Sequence, residues 1–67
     1  MEFAVILESH DGGWRSIAQA QRNGEVVVEH PSETFKLDNE AGNRTLALIA
    51  GEMVVENLRM EWLAKAS

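Results

Sequence analysis

The sequence contains no cysteine, no tyrosine and a single proline, and aromatic residues make up only 6% of its 67 residues. Without cysteine the chain has neither disulfide bonds nor thiolate metal ligands, so it lacks two of the devices that stabilise very small domains. A chain of this length forms one domain, residues 1–67, and its apolar core is small. Association with a further subunit is the remaining way to bury more apolar surface.

Basic residues are scarce, since six Lys and Arg stand against eleven Asp and Glu and the net charge is −5. Proteins that bind nucleic acids or anionic membranes normally present a basic face, so this composition argues against both kinds of partner. The first apolar run, residues 3–7, is also far shorter than the roughly 18 residues of a membrane span. An acid at position 2 is unlike a secretory signal, so we expect a cytoplasmic protein of bacterial or phage style.

Two glycine-containing turn signals, at residues 11–13 and 22–24, divide the first part of the chain into apolar-rich segments. Asp-Gly and Asn-Gly pairs flanked by alternating apolar residues are typical of β-hairpins. The spacing therefore predicts strands over residues 2–9, 14–21 and 25–30.

The first hairpin is predicted to turn at Asp11 and Gly12 in a two-residue type I′ loop. This register places Ile6 opposite Ile17 and sorts most of the large apolar side chains onto one face. The residues collected on that face are Phe3, Val5, Leu7, Trp14, Ala18 and Ala20.

For the second hairpin, a three-residue loop over 22–24 with its glycine as a left-handed bulge is preferred. It pairs Ala20 with Val26 and brings Val28 to the apolar face. A two-residue loop would instead place Ala20 opposite Val27 and scatter the valines over both faces.

In the second half of the chain, apolar and polar residues alternate at 34–37, which is a candidate fourth strand. The residues that follow predict a polar loop and then a helix over 44–65. Helix-forming residues dominate that range, and Asn43 is a suitable cap. Gly51 weakens the helix, so a hairpin turning at Gly51 stays open as an alternative. The expected fold is α+β, a small antiparallel β-meander of three or four strands with one C-terminal helix packed on the sheet.

The predicted helix carries two apolar stripes, and a helix that is apolar on two sides needs two partners. One partner is the sheet, and the other is the same helix of a second copy. The first stripe consists of Leu46, Ile49, Met53 and Met60. The second consists of Leu48, Val55, Leu58 and Trp62.

No pattern in the sequence indicates catalysis. Ser9, His10 and Asp11 are successive strand residues that point to alternating faces, so they cannot converge as a catalytic triad. His10 and His30 fall at strand ends without metal-ligand spacing, and there is no phosphate-binding loop. We expect no enzyme activity, and no catalytic, cofactor-binding or metal-binding residues.

Residues 45–50, followed by residues 61–63, resemble the helix-turn-helix family of DNA-binding proteins, which often runs from an Ile-Ala pair to a Trp-Leu pair. The resemblance covers about a quarter of the chain. Met53 stands where that family has its turn glycine, and the spacing is one residue shorter. The resemblance implies, as an alternative function, a DNA-binding regulator with a degenerate helix-turn-helix in residues 45–63.

The function expected from the sequence is a non-catalytic protein–protein interaction module, a homodimer of the kind found among phage or plasmid regulators, which binds a larger protein. A further alternative is an acidic inhibitor or mimic that binds a basic surface. The predicted interface consists of Ile6, Ile17, Val27, Leu48, Val55, Leu58 and Trp62.

Overall fold

The computed structural model describes residues 1–66 and shows an α+β fold, as predicted. Three strands, β1, β2 and β3, form one antiparallel sheet in the order β1-β2-β3, and a C-terminal helix, α1, packs on β1 and β2. The bounds are Glu2–His10 for β1, Gly13–Arg22 for β2, Glu25–Pro31 for β3 and Glu40–Ala66 for α1. The candidate fourth strand at 34–37 is reduced to one bridge, between Phe35 and Trp14.

The first hairpin has the predicted register. Asp11 and Gly12 form its loop with φ values of 52° and 81°, and a type I′ turn requires a positive φ at both residues. Ile6 lies opposite Ile17, as expected. The same alternation directs Phe3 and the other odd-numbered residues of β1 toward α1.

The second hairpin differs from the prediction. Arg22 pairs with Glu25, so the loop has two residues, Asn23 and Gly24, with φ values of 53° and 83°. The predicted three-residue loop over 22–24 is therefore wrong. A two-residue loop with two positive φ values matches the right-handed twist of the strands, which favours it over the longer loop.

A β-bulge within β3 makes up for the shorter loop. Gln21 lies opposite Val26 but Ala20 lies opposite Val28, so Val27 is an extra residue. The bulge brings Val28 to the side that faces α1, as expected, but the predicted pairing of Ala20 with Val26 is wrong. One added residue reverses which side chains of a strand point to each face of the sheet. The bulge in β3 therefore directs Val28 to the apolar face, which the predicted longer turn was expected to do.

Helix α1 begins one turn earlier than predicted. Asn39 is the N-cap, since its Oδ1 accepts a hydrogen bond from the backbone N–H of Gly42 at 2.9 Å and its carbonyl accepts one from the N–H of Asn43. The predicted loop over 38–43 and the predicted cap at Asn43 are therefore wrong. Asn43 lies inside the helix, where it has a different structural role.

Helix α1 is continuous through Gly51 and onward to Ala66. The alternative hairpin at Gly51 is therefore not formed. A helix-turn-helix needs a turn between two helices, and residues 45–63 belong to one uninterrupted helix, so that expectation is wrong as well.

Small side chains bring α1 close to the sheet. A Cβ atom placed on Gly51 would lie 2.6 Å from Val5 Cγ1 and 2.7 Å from Ser16 Oγ. Gly51, which weakens an isolated helix, is thus a point of close approach between the helix and the sheet. The buried residues of the two layers include Ser16, Ala18 and Ala20 on β2, and Ala47, Gly51 and Val55 on α1.

Replacing Ser16 with alanine should leave the free energy of unfolding unchanged or raise it by up to about 1 kcal/mol. Ser16 is completely buried, and its Oγ has no hydrogen-bond partner among residues 1–66. Removing an unpaired buried hydroxyl removes a desolvation cost. Urea unfolding checks this prediction.

The matched control is Ser32→Ala. Ser32 Oγ accepts a hydrogen bond from the backbone N–H of Ser16 at 2.9 Å, so this variant should lose about 1 kcal/mol. A larger loss for Ser16→Ala than for Ser32→Ala would show that the Ser16 hydroxyl is paired in solution.

Candidate interaction surfaces

The face of α1 directed away from the sheet carries a row of large apolar side chains. At 100° per residue, this row lies about half a turn from Ala47, Gly51 and Val55, which face the sheet. Met53 is 65% exposed and Met60 is 61% exposed, and the others are exposed too. We name this row the outer stripe, and it consists of Leu46, Ile49, Met53, Met60 and Leu63. An apolar row of this kind with no partner is a typical feature of an interaction surface.

Charged residues accompany the outer stripe along one edge. Arg59 Nη1 donates a hydrogen bond to Glu56 Oε2 at 2.8 Å, and its guanidinium lies 5.4 Å from the ring centroid of Phe3. Glu52 stands two turns before Arg59 on the same edge and forms no ion pair within the described part of the chain. Along this edge, the Glu52 carboxylate stands seven residues before the Arg59 guanidinium, which is already bonded to Glu56.

A shallow groove of about 240 Å³ lies between the C-terminal part of α1 and the sheet, and residues of all three strands line it. Its apolar lining includes Phe3, Val28 and Trp62, while Arg22 and Lys65 stand at its margin. A groove of this size is below the roughly 300 Å³ at which ordinary ligand pockets begin.

The outer face of the sheet is mostly polar. Gln19 is buried there because its amide donates to Glu29 Oε1 at 3.3 Å and accepts from Gln21 Nε2 at 3.2 Å. Ile6 is exposed beside half-buried Ile17. The exposed large apolar residues of the sheet, Ile6, Val26 and Val27, lie among charged and amide side chains rather than in one row.

The predicted interface residues are not brought together on one surface. Val55 is only 8% exposed and belongs to the core between helix and sheet, so it is not free to contact a partner. Leu58 and Ile17 are half-buried. The exposed members of the predicted set are Ile6, Val27, Leu48 and Trp62.

The outer stripe consists of the first stripe predicted from the sequence, Leu46, Ile49, Met53 and Met60, together with Leu63, which was not predicted. The helix residues of the predicted interface belong to the second stripe instead. Both stripes are equally apolar, so composition does not show which one faces the sheet. The side that faces the sheet is indicated by two small residues, Ala47 and Gly51. Small residues four apart lie on one side of a helix and allow it to approach its neighbour closely.

The residues around the first hairpin loop bind the segment that connects β3 to α1. His10 Nδ1 lies 2.9 Å from Thr34 Oγ1, and Lys36 Nζ lies 3.1 Å from Asp11 Oδ2. The hydrogen bond and positive charge of Lys36 lower the pKa of Asp11. Within residues 1–66, no group of three or more His, Cys, Asp or Glu side chains is placed to hold a metal ion.

Comparison with protein-family models, curated proteins and solved structures found no match for this chain. Among residues 1–66 there is no helix with both the length and the apolar character needed to cross a bilayer. The surfaces described above therefore carry the functional argument.

Proposed function

We propose that the protein is a non-catalytic protein–protein interaction module that forms a homodimer through the outer stripe of α1. The observation that carries this proposal is the exposure of five large apolar side chains on the side of the helix opposite the sheet. Burying such side chains against a second copy removes apolar surface from water, which is the main favourable term in association.

The small core of one protomer supports the same proposal. Only four apolar residues of the described chain are buried, and three of them are alanines, namely Ala18, Ala20 and Ala47. Side chains of this size contribute little apolar area, so a single protomer has little hydrophobic stabilisation in reserve. A dimer adds the larger Leu, Ile and Met side chains of the outer stripe to a shared core.

In such a dimer, the outer faces of the two sheets remain free to contact a larger protein. Ile6, Ile17 and Val27 then stay on the surface for that second role. A cytoplasmic regulator of phage or plasmid type fits this arrangement, in keeping with the absence of cysteine.

A second candidate function is binding to a basic surface of another protein. Residues 23–35, which include all of β3, contain no Lys or Arg, and Glu25, Glu29 and Glu33 are all exposed there. Binding through this acidic edge would weaken steeply as salt concentration rises, whereas apolar association through the outer stripe would not.

The double variant Met53→Glu, Met60→Glu should weaken dimerisation at least ~10-fold while leaving the protomer folded. Both side chains are largely exposed, so the core is unaffected, but each carboxylate would have to lose its hydration in the dimer. Sedimentation equilibrium at micromolar concentration measures the association, and circular dichroism confirms the fold.

The matched control is Ile6→Thr, Val27→Thr, which makes the sheet face more polar with strand-forming residues. This control should keep the dimer mass. A monomeric wild-type protein, or a dimer that persists in the Met53 and Met60 variant, would contradict the proposed function.

A further inference from the structure

We infer that the two helices of the dimer lie antiparallel, with Glu52 of each copy beside Arg59 of the other. The inference rests on the proposed function, because it specifies the partner and the orientation for the same surface. It follows from the spacing of the outer stripe and from the charges within and beside it.

The spacing along the exposed face is that of a two-helix seam. From Leu46 to Leu63 the positions on this face alternate three and four residues apart, which is the repeat that keeps one face of a helix against a partner helix. The only polar residue in this series is Glu56, which stands between Met53 and Met60. The full series is Leu46, Ile49, Met53, Glu56, Met60 and Leu63.

The position of Glu56 distinguishes the two directions. In a parallel pair, each residue of the seam faces the same residue of the second copy. Glu56 would then face Glu56, and two carboxylates would lie together in an apolar seam. In an antiparallel pair centred between residues 54 and 55, Glu56 faces Met53 instead. Its charge then stays compensated by Arg59 of the same chain, which already binds it at 2.8 Å.

The other layers of the antiparallel arrangement are apolar throughout. Leu46 faces Leu63 of the second copy, and Ile49 faces Met60 of the second copy. Every member of the outer stripe thus finds a partner in the seam, with no residue of the series left over at either end.

The charges beside the seam give an independent reason for the same direction. In the antiparallel pair, Glu52 of one copy lies level with residue 57 of the other. Arg59 of that copy is two residues further along, or roughly 3 Å along the helix axis. The twofold symmetry repeats the contact, so two ion pairs form. In a parallel pair Glu52 would face Asn57, and no such pairs arise.

Cysteine cross-linking tests the direction, because the protein has no cysteine of its own. Leu46→Cys and Leu63→Cys are prepared separately in the full chain, then oxidised alone and as a mixture. The antiparallel arrangement separates equivalent residues 46 by roughly 26 Å but brings 46 and 63 together. We expect the mixture to give at least ~10-fold more disulfide-linked dimer than either variant alone.

Cross-linking of each variant with itself, in a protein that sedimentation shows to be dimeric, would overturn the antiparallel arrangement and leave the proposed function standing. A monomeric wild-type protein at the same concentration would overturn both.

A charge exchange tests the ion pairs without cysteine. Glu52→Arg alone and Arg59→Glu alone should each dimerise less well, since like charges then meet across the seam. Mixing the two variants should restore a heterodimer, detected by native mass spectrometry. A mixture that stays as weakly associated as its components would overturn the pairing of Glu52 with Arg59.

Discussion

Replacing Gly51 with leucine should unfold the protein or bring it close to unfolding. A Cβ atom at this position would lie 2.6 Å from Val5 Cγ1, 2.7 Å from Ser16 Oγ and 3.0 Å from Ser16 Cβ, and real Cβ atoms do not make such short contacts. Leucine adds three further carbons in the same direction. Helix and sheet would have to separate over the whole small core.

The magnitudes favour a large loss for Gly51→Leu. Leucine improves helix propensity by about 1 kcal/mol over glycine, whereas inserting extra methylene groups into a packed core costs about 1–3 kcal/mol. This replacement inserts four carbons where a single Cβ already has no room, so its cost lies above that range. Domains of this size have a total stability of about 3–10 kcal/mol, so the net loss is a large part of it. Thermal and urea unfolding followed by circular dichroism measure the effect.

The control for this prediction is Gly42→Ala in the first turn of the same helix. Its Cβ would lie 3.4 Å from Asn39 Cγ, which is an ordinary contact, so the variant should gain up to about 1 kcal/mol from helix propensity. If Gly51→Leu were as stable as the wild-type protein, the close contact between α1 and β2 would be disproved.

Asn43→Ala should lose about 2–4 kcal/mol of stability. The side chain is only 5% exposed, and it forms hydrogen bonds with both the backbone N–H and the backbone carbonyl of Leu37. Its Oδ1 accepts from the backbone N–H of Leu37 at 2.8 Å, and its Nδ2 donates to the carbonyl of Leu37 at 2.9 Å. Removing the amide leaves both backbone groups without these partners and releases the segment that leads from β3 to α1.

Urea unfolding measures that loss, and hydrogen exchange at the Leu37 amide reports directly on the released segment. Asn57→Ala is the matched control, because Asn57 lies exposed in the same helix and the change in helix propensity is the same. Equal stability of the two variants would show that the Asn43 side chain does not anchor Leu37.

The strand meander was predictable because its signals are local. Asp11-Gly12 fixes a two-residue turn, and one turn type sets the register of every residue in β1 and β2. The second turn carried the equivalent signal at Asn23-Gly24, but the bulge at Val27 lies away from the turn. Its position depends on which valines reach the helix, and that depends on tertiary packing rather than on the neighbouring residues.

The start of the helix and its orientation depended on contacts between distant parts of the chain. Asn39 and Asn43 are both suitable caps by residue type, and the choice follows from the hydrogen bonds that Asn43 makes with Leu37. Gly51 is unfavourable for an isolated helix, yet it permits the contact with Val5 and Ser16. This contact turns Ala47, Gly51 and Val55 toward the sheet and the outer stripe away from it, so the candidate interface could be chosen only once the packing was known.

The most direct test of self-association through the outer stripe is an isotope-filtered nuclear Overhauser experiment on an equal mixture of labelled and unlabelled protein. Only contacts between different copies give signals in this measurement. We expect cross-peaks from the methyl group of Met60 in one copy to the methyl groups of Ile49 in the other. Cross-peaks confined to Ile6 and Ile17 of the sheet face, or none between copies at millimolar concentration, would contradict it.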